Sequence, residues 1–351
     1  MPSRKQGLEL LSSTCGQLAA ANPDVRIVPE AVQAFASSIQ PEAVKAASRP
    51  AHFPIRFPSQ EAEINFHAMY HLLDFGSGYD PLLKATNHRD WKETLQFAMI
   101  GMHLSDATTR MDGPWMRAFN AYSVANFFGI EARAEEPVPN LPGVTMSKPG
   151  AMQPLVTLLE TTIVETGHAL EVSGHKSLGQ FIVELSTDLL KQKNPTPAAA
   201  MVSELTDTFP GFQDSALLDG QQVAFARKAQ NLVAVLAARF GGDDPKFAFS
   251  DASSLTADSG PTTAGALRAL GLLQLSPDLG AKVDAGQVLP PGAQERALRV
   301  AAIAAANEVV KAANGAFTAQ ELSGYLAWKC EDGQELRGKV QKHYTQGITA
   351  Y

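Results

Sequence analysis

This 351-residue sequence has only two cysteines, no long apolar run and no excess of basic residues. Its two cysteines, Cys15 and Cys330, lie far apart, which argues against a disulfide framework and a zinc-ligand pattern and favours a reducing compartment. No run approaches the ~20 apolar residues that span a bilayer, and the first residues lack the apolar core of a signal peptide. The sequence therefore predicts a soluble, cytoplasmic protein without a membrane association.

Acidic residues outnumber basic ones, 36 to 29, and the formal net charge is −7. Proteins that bind nucleic-acid polymers normally carry a basic excess, because they neutralise many phosphates. We therefore expect no direct polynucleotide binding, although a local basic site for one phosphate remains compatible with this charge. The composition carries no indication of the oligomeric state.

Apolar residues recur mainly at helical spacing, and alternating β-branched runs are scarce. Clear helical patterns cover residues 90–99, 223–240 and 297–313. We therefore predict an all-α protein that forms one structural unit. In it, an N-terminal helical segment (residues 1–60) packs on a larger domain (residues 61–351).

Local signals place some of the boundaries between these helices. Thr318 and Glu321 have the spacing of a capping box, and Ser177 and Gln180 form a second possible one. Residues 135–149 are rich in proline and glycine and lack periodicity. We expect them to form an irregular loop, the most flexible part of the chain.

Two histidine patterns raise the possibility of a metal site. Glu165 and His168 have the Glu-x-x-His spacing of di-iron carboxylate bundles, but such sites need a second copy, which the sequence lacks. His67 and His71 lie four residues apart without an evident third ligand. We therefore expect neither a metal nor a cofactor, and keep a helical metalloprotein using Glu165 and His168 as an alternative.

Arg227 and Lys228 are adjacent cations on the apolar helix predicted for residues 223–240. One interpretation is structural, with one side chain reaching solvent and the other in a salt bridge. The other is functional, with a partly buried cation binding an anionic group of a ligand.

Asp251 and Asp258 lie close to several serine and threonine hydroxyls, before a helix that begins near Pro261. A role in capping that helix would be enough to explain why an aspartate stands at position 258. Two carboxylates among hydroxyls are also suited to acid–base or electrostatic catalysis. The residues alone leave both interpretations open.

Several blocks, in this order and spacing, resemble the queuosine-salvage family, in particular its fungal-type branch. The resemblance runs from about residue 61 to Tyr351. The blocks that carry it are Ile64-Asn-Phe66, Leu72-Leu-Asp-Phe-Gly-Ser-Gly-Tyr79, Val164-Glu-Thr-Gly167, Ser177-Leu-Gly-Gln-Phe181, Phe209-Pro-Gly-Phe-Gln-Asp214, Arg227-Lys-Ala-Gln230, Phe249 to Thr256, and Leu267-Arg-Ala-Leu-Gly271.

The resemblance implies an all-α fold similar to that of helix-hairpin-helix DNA glycosylases. It implies a hydrolase of N-glycosyl bonds that acts on a small-molecule nucleotide, queuosine 5′-monophosphate or a related one, and releases queuine for tRNA-modification salvage. A free nucleotide needs only one cationic patch, which agrees with the acidic composition.

The resemblance also implies roles for individual residues. Asp251 would be the catalytic carboxylate, and Asp258 would recognise the base or act as a second catalytic carboxylate. Asn65 and Phe66 would line the base pocket. Lys228, with Arg227 second, would bind the 5′-phosphate.

Two stretches depart from the family pattern. After Asp258 the family usually has a Leu-Pro step, where this chain reads Ser-Gly-Pro. Some members carry Leu-Trp-Asp near the C-terminus, where this chain has Trp328 followed by lysine. These departures keep open a non-catalytic paralogue of the same fold that binds queuine or a nucleoside.

Overall fold

The computed structural model describes residues 4–48, 53–105, 111–331 and 333–351, and this part of the chain is largely helical, as predicted. The α-helices are α1 (Arg4–Ala21), α2 (Pro29–Ser38), α3 (Pro41–Ala47), α4 (Gln60–Leu72), α5 (Asp80–Asn87), α6 (Trp91–Ser105), α7 (Gly113–Arg117), α8 (Ala121–Phe128), α9 (Gln153–Ser173), α10 (Leu178–Lys191), α11 (Pro197–Thr208), α12 (Arg227–Phe240), α13 (Pro261–Ala269), α14 (Pro277–Asp284), α15 (Ala293–Ala312) and α16 (Ala319–Lys329). Short 3-10 helices are Ser77–Tyr79, Pro210–Phe212, Pro245–Phe247 and Ala252–Ser254.

The strands are short and pair only two by two in the described ranges. They are β1 (Val25–Ile27), β2 (Arg133–Pro137), β3 (Thr145–Pro149), β4 (Ser215–Leu218), β5 (Gln221–Ala224) and β6 (Leu273–Leu275). The pairs β1–β6, β2–β3 and β4–β5 are all antiparallel. Two of the pairs are hairpins, whereas β1–β6 ties the N-terminal part of the chain to the segment after α13.

Two large hydrophobic clusters form most of the core. The first contains buried side chains of α4, α6 and α9–α12, such as Phe66, Leu159 and Leu232. The second is built on α13–α16 with α2 and α3. Leu255 belongs to the first cluster and Ala257 to the second, so the chain just before α13 crosses from one to the other. This crossing positions the residues that follow it between the two clusters.

Helix α1 packs against α15 and α11, and α3 packs against α16. Cys15 and Leu18 of α1 lie in a small cluster with Ile303 of α15. Residues 1–3 and 49–52 of the predicted N-terminal segment lie outside the described ranges. The division of the chain at residue 60 stays a prediction.

Residues 135–149 are not the irregular loop expected from their proline and glycine content. They take part in the β2–β3 hairpin, which begins at Arg133, and its strands are exposed on both faces. Asn140 and Gly143 have positive φ angles in the connection, of 64° and 81°, which lets the chain reverse. Exposure of both faces removes the apolar alternation by which a strand is normally recognised.

The prediction that a helix starts at residue 223 and runs to residue 240 is wrong about its start. Val223 belongs to strand β5, and the helix begins at Arg227 after Ala226, whose φ of 46° interrupts helical geometry. The capping box at Thr318 and Glu321 is confirmed.

The second predicted capping box is only half formed. The Ser177 hydroxyl accepts a hydrogen bond from the backbone N–H of Gln180, as expected for an N-cap. The Gln180 side chain, however, accepts from the N–H of Lys176 and not from that of Ser177. Within the described ranges, no helix is both long enough and apolar enough to cross a membrane.

Candidate functional site

A cavity of about 1400 Å³ lies between the two hydrophobic clusters. Its walls come from α3, from α4 to α6, from α12, from residues 252–263, and from α16 and the chain after it. Ligand pockets commonly have volumes of about 300–1,000 Å³, so this cavity has room for a nucleotide. Polar side chains gather on its α4–α12 side: Tyr70, His71, Asp74, Arg227, Asn231 and Asp258.

The segment that carries Asp258 is held by side chains of two helices. Gln230 of α12 accepts a hydrogen bond from the Thr256 N–H (2.8 Å) and donates to the Thr256 hydroxyl (3.0 Å). The Asp258 N–H donates to the Ser323 hydroxyl of α16 (2.9 Å). Because its backbone is fixed on both sides of the cavity, Asp258 has a defined position at the junction of the clusters.

The Asp258 carboxylate accepts four hydrogen bonds. Arg227 donates two of them, from Nε to Oδ1 (2.8 Å) and from Nη2 to Oδ2 (3.0 Å). Asn231 Nδ2 (2.7 Å) and the Gly260 N–H (2.5 Å) donate the others. Burial alone would raise the pKa of Asp258, but the charge and hydrogen bonds of Arg227 outweigh it and lower the pKa below its ordinary value. The carboxylate is therefore ionised across the neutral range.

Arg227 also binds the C-terminal end of α4. Its Nη2 donates to Asp74 Oδ2 (2.8 Å) and its Nη1 to the Asp74 backbone oxygen (2.9 Å). Its own N–H donates to the carboxylate of Asp214, a residue before the β4–β5 hairpin (3.1 Å). Arg227 thus joins two carboxylates, Asp74 and Asp258, that line one cavity.

His71 lies on the same wall as Asp74. Burial, together with the positive charge of Arg227, lowers the pKa of His71 to about 4 although the Asp74 and Asp258 carboxylates oppose this change. The ring is therefore neutral at neutral pH, and its buried Nδ1 has no hydrogen-bond partner in the described part of the chain. A neutral imidazole can donate from one nitrogen and accept at the other.

Asp251 lies at the start of α11 and not on the wall that carries Asp258. Its Oδ1 accepts from the Ala198 N–H (2.8 Å) and its Oδ2 from the Ala199 N–H (3.1 Å). The first turn of a helix leaves such N–H groups without backbone partners, and a carboxylate there also meets the positive end of the helix dipole. Asp251 borders a second cavity, of about 1020 Å³, but its side chain serves as a helix cap.

Lys228, expected to bind the phosphate, is completely buried and does not line the large cavity. Its Nζ donates to the Leu72 backbone oxygen (3.1 Å) and lies 4.9 Å from the centre of the Phe75 ring. Burial lowers the pKa of Lys228 to about 7, although the Asp214 carboxylate opposes the shift. The structure therefore places this ammonium against a backbone carbonyl at the end of α4, where a helix dipole favours a cation.

Asn65 and Phe66, expected to line the base pocket, face α10 and the core. Asn65 Oδ1 accepts from the N–H of Gly179 (3.1 Å), where a Cβ would come within 2.5 Å of the Glu61 backbone oxygen. Phe66 packs against Phe53 in the first cluster. Neither side chain belongs to the walls of the cavity.

Glu165 and His168 lie on the exposed face of α9, and His168 Nδ1 is 3.9 Å from Glu171 Oε2. Across the described residues, no group of three or more His, Cys, Asp or Glu side chains is placed to hold a metal ion. The structure therefore gives no support to the metalloprotein alternative.

Three residues of this site were assigned no role in it from the sequence: Asp74, His71, which was considered only as one of a histidine pair, and Asn231. Asn231 follows Arg227 by four residues, a spacing that puts both on one face of a helix and was available as a signal. Asp74 and His71 lie at the end of α4, more than 150 positions before Arg227. Nothing in their local sequence indicates that they meet α12.

Two comparisons with known proteins bear on this site. The family model described as queuosine salvage protein matches residues 157–337, which is more than half of the chain. A queuosine 5′-phosphate N-glycosylase/hydrolase of Sphaerobacter thermophilus is 34% identical over 157 residues, covering 43% of this chain and 47% of that relative. The alignment thus spans about half the length of the curated relative. Taken with the family model, it shows that the chain belongs to the queuosine salvage protein family.

Proposed function

We propose that this protein hydrolyses the N-glycosidic bond of queuosine 5′-phosphate, or of a related nucleotide, and releases queuine. Membership of the family and the name of the Sphaerobacter relative support the substrate and the reaction. The observation that carries the proposal is the ionised carboxylate of Asp258, held by Arg227 in the wall of a cavity large enough for a nucleotide.

Breaking an N-glycosidic bond develops positive charge on the ribose, as in the oxocarbenium-like state of O-glycoside hydrolysis. A fixed carboxylate stabilises this charge best when it needs no reorientation during the reaction. Asp258 meets that requirement, because its four hydrogen bonds fix it and its lowered pKa keeps it ionised. We therefore assign electrostatic stabilisation to Asp258 and helix capping to Asp251.

Asp74 is suited to orient the attacking water. The four hydrogen bonds to Asp258 fill about all the acceptor positions of a carboxylate, so Asp258 has little capacity to bind a proton of water. Asp74 accepts from Arg227 at Oδ2, and its Oδ1 has no hydrogen-bond partner within the described ranges. Two carboxylates joined by one arginine would thus take different roles.

His71 is suited to stabilise the leaving base. Queuine is a 7-deazapurine, so position 7 offers no nitrogen to protonate, and other atoms of the base must take hydrogen bonds. The neutral His71 ring lies in the cavity wall with Tyr70, and aromatic side chains are the usual stacking partners of a bound base.

The wider context follows from the same proposal. Released queuine would serve tRNA-modification salvage in the cytoplasm, and the fold would be related to that of helix-hairpin-helix DNA glycosylases. No polynucleotide is needed as substrate, which agrees with the net charge of −7.

The test is incubation of the purified protein with queuosine 5′-phosphate, followed by chromatographic measurement of free queuine. We expect release by the unmodified protein and strongly reduced release by Asp258→Asn. Binding of the nucleotide without release would instead identify a non-catalytic binding protein, the alternative left open by the sequence around Asp258.

A further inference from the structure

A buried ion pair, Asp214 with Arg299, adjoins the contact between Arg227 and Asp258. Arg299 of α15 donates from Nη2 to Asp214 Oδ2 (2.5 Å), and both side chains are almost completely buried. Neither residue belongs to the walls of the large cavity. Because both charges must leave water to form such a pair, its net gain in stability is small, and a role in fixing the local geometry is a more specific explanation for it.

Asp214 connects this pair to Arg227. The oxygen that accepts from Arg299, Oδ2, also accepts from the backbone N–H of Arg227 (3.1 Å). The Asp214 backbone oxygen accepts from the N–H of Ala226 (3.0 Å), the residue whose positive φ turns the chain into α12. The carboxylate and the carbonyl of one residue therefore fix the start of the helix that carries Arg227.

Ser259 connects the pair to Asp258. The Nη2 of Arg299 has two hydrogens, and it donates to the Ser259 hydroxyl (3.2 Å) as well as to Asp214. Ser259 is buried and follows Asp258 directly in the chain, so its position limits where the Asp258 carboxylate can lie. A single nitrogen atom thus contacts the residue that holds Arg227 and the segment that carries Asp258.

The orientation of the Arg299 guanidinium is set by two further neighbours. Its Cζ lies 3.8 Å from the centre of the Phe225 ring, a distance typical of a stacked cation. Its Nε lies 3.9 Å from Glu295 Oε1, one turn earlier in α15. The plane of the guanidinium is therefore fixed, and Nη2 has a defined direction.

The groups around Arg299 keep its charge permanent. Burial alone would lower the pKa of Arg299, but the Asp214 and Glu295 carboxylates outweigh it and raise the pKa. His343 and Tyr351 also face it, from the chain after α16. Burial, together with the charge of Arg299, lowers the pKa of His343 to about 3, and burial raises the pKa of Tyr351, so both are neutral at neutral pH.

The contact between Arg227 and Asp258 tolerates little displacement. Its two parallel hydrogen bonds measure 2.8 Å and 3.0 Å. Gly260 lies so close that a Cβ there would come within 2.8 Å of Asp258 Oδ1 and 3.0 Å of Arg227 Nε. Misplacement of a catalytic group by about 1 Å can cost about 10²-fold in rate, so a group that fixes both partners affects the reaction without touching the substrate.

We propose that Arg299 is a positioning residue, which sets the geometry of the Arg227–Asp258 contact through Asp214 and Ser259. The inference rests on the proposed function, in which this contact places the Asp258 carboxylate. Arg299 lies on α15 and reaches both partners across the boundary between the two large hydrophobic clusters. It thereby ties the helix that carries Arg227 to the segment that carries Asp258.

The experiment compares variants of the full chain in the queuine-release assay from pH 4 to pH 8. Ser259→Ala removes the hydrogen bond next to Asp258 and leaves the ion pair of Arg299 and Asp214 in place. A loosened contact with Arg227 lets the pKa of Asp258 rise, so the acid limb of kcat/KM should move to higher pH. We expect kcat to fall by about tenfold at pH 4 and by less at pH 8, with KM unchanged because Ser259 does not line the cavity.

Ser186→Ala is the matched control. The Ser186 hydroxyl is equally buried, and it donates to the Ile182 backbone oxygen within its own helix, α10 (2.8 Å). Its removal deletes a buried hydrogen bond of similar kind outside the cavity walls. Ser186→Ala should therefore change stability about as much as Ser259→Ala does and leave the acid limb where it is.

Substitutions of Arg299 itself separate its position from its charge. Arg299→Lys keeps a cation beside Asp214, but an ammonium lacks the planar geometry that serves Asp214 and Ser259 while stacking on Phe225. We expect Arg299→Lys to stay folded and to shift the acid limb at least as far as Ser259→Ala. Arg299→Met leaves the Asp214 carboxylate buried without its cation, so it should lower the midpoint of thermal unfolding much more than the lysine variant does. A folded, less stable Arg299→Lys protein with an unchanged acid limb would show a merely structural role.

The proposed effect passes through Arg227, which a combined variant tests. In Arg227→Lys the paired hydrogen bonds to Asp258 are already lost, so adding Ser259→Ala should shift the acid limb less than it does in the unmodified protein. His71 and Asp74 also face the pair from α4, and they are the same in all these variants. Equal shifts in both backgrounds, or no shift from Ser259→Ala, would overturn the inference.

The inference and the proposed function can fail separately, because the pKa of Asp258 can be measured by NMR without any turnover. A pKa that rises in Ser259→Ala, without queuine release by the unmodified protein, would keep the positioning role and remove the hydrolase assignment. Queuine release with the same Asp258 pKa in both proteins would keep the hydrolase assignment and overturn the positioning role.

Discussion

Arg227 holds the Asp258 carboxylate with two parallel hydrogen bonds, of 2.8 Å from Nε and 3.0 Å from Nη2. The same guanidinium binds Asp74, so one cation lies between two carboxylates in the cavity wall. Two negative charges against one positive charge leave this end of the site net negative. His71 does not change this balance, because its ring is neutral. Such a site favours a ligand that becomes positive during the reaction, as a ribose does when it loses its base.

Replacing Asp258 with asparagine should lower kcat for queuine release by about 10²-fold to 10³-fold, the usual effect of removing one preorganised electrostatic group. The amide keeps the shape of the carboxylate but carries no charge. Chromatographic measurement of queuine, with circular dichroism as the check on folding, tests this. Unchanged kcat in a folded Asp258→Asn protein would remove Asp258 from the mechanism.

Asp251→Ala should affect stability and not the chemical step. Loss of a helix cap costs about 0.5–2 kcal/mol, so the free energy of unfolding measured in urea should fall by that amount. At a temperature where the variant stays folded, kcat should equal that of the unmodified protein. A variant that kept its stability and lost queuine release would restore Asp251 as the catalytic carboxylate.

The helical architecture was predictable because α6 and α15 carry long, regular apolar patterns that local sequence is enough to reveal. The β2–β3 hairpin was not, since its exposed strands lack any apolar alternation. Val223 is apolar in either a strand or a helix, so only the positive φ of Ala226 decides where α12 begins.

The site was predictable only in part, for a related reason. Arg227, Asp251 and Asp258 stand out as charged residues in apolar or hydroxyl-rich stretches. Asp251 does not face the cavity, because its carboxylate accepts hydrogen bonds from the N-terminus of α11, which lies more than 50 residues earlier in the chain. Local sequence cannot indicate a contact of that separation.

Arg227→Lys should change the pH dependence of the reaction. Lysine cannot reproduce the two parallel hydrogen bonds of arginine, so the pKa of Asp258 should rise as burial is no longer outweighed. Activity needs the ionised carboxylate, so the acid limb of kcat/KM should move to higher pH, and the loss of activity should be larger at pH 5 than at pH 8. An acid limb at the same pH in both proteins would show that Arg227 does not control Asp258.

Lys228→Met should change stability in a pH-dependent way. The folded protein holds the Lys228 proton with a pKa of about 7, below the ordinary value of 10.5. Between these values the unfolded chain binds the proton and the folded chain does not, so the lysine protein gains stability as pH rises, by up to about 1.4 kcal/mol per pH unit. The methionine protein lacks this contribution. Urea unfolding of both proteins should be measured from pH 6.5 to 9.5. Over this range the free energy of unfolding of the lysine protein should rise relative to that of the methionine protein.

Nucleotide binding supplies the second half of this prediction. Because Lys228 donates to the Leu72 carbonyl and is sealed from the cavity, Lys228→Met should bind queuosine 5′-phosphate with unchanged affinity in titration calorimetry. A pH-independent difference in stability would mean that Lys228 stays charged in the folded protein. Selective loss of nucleotide affinity with queuosine affinity kept would instead show that Lys228 binds the 5′-phosphate, as the family resemblance implies.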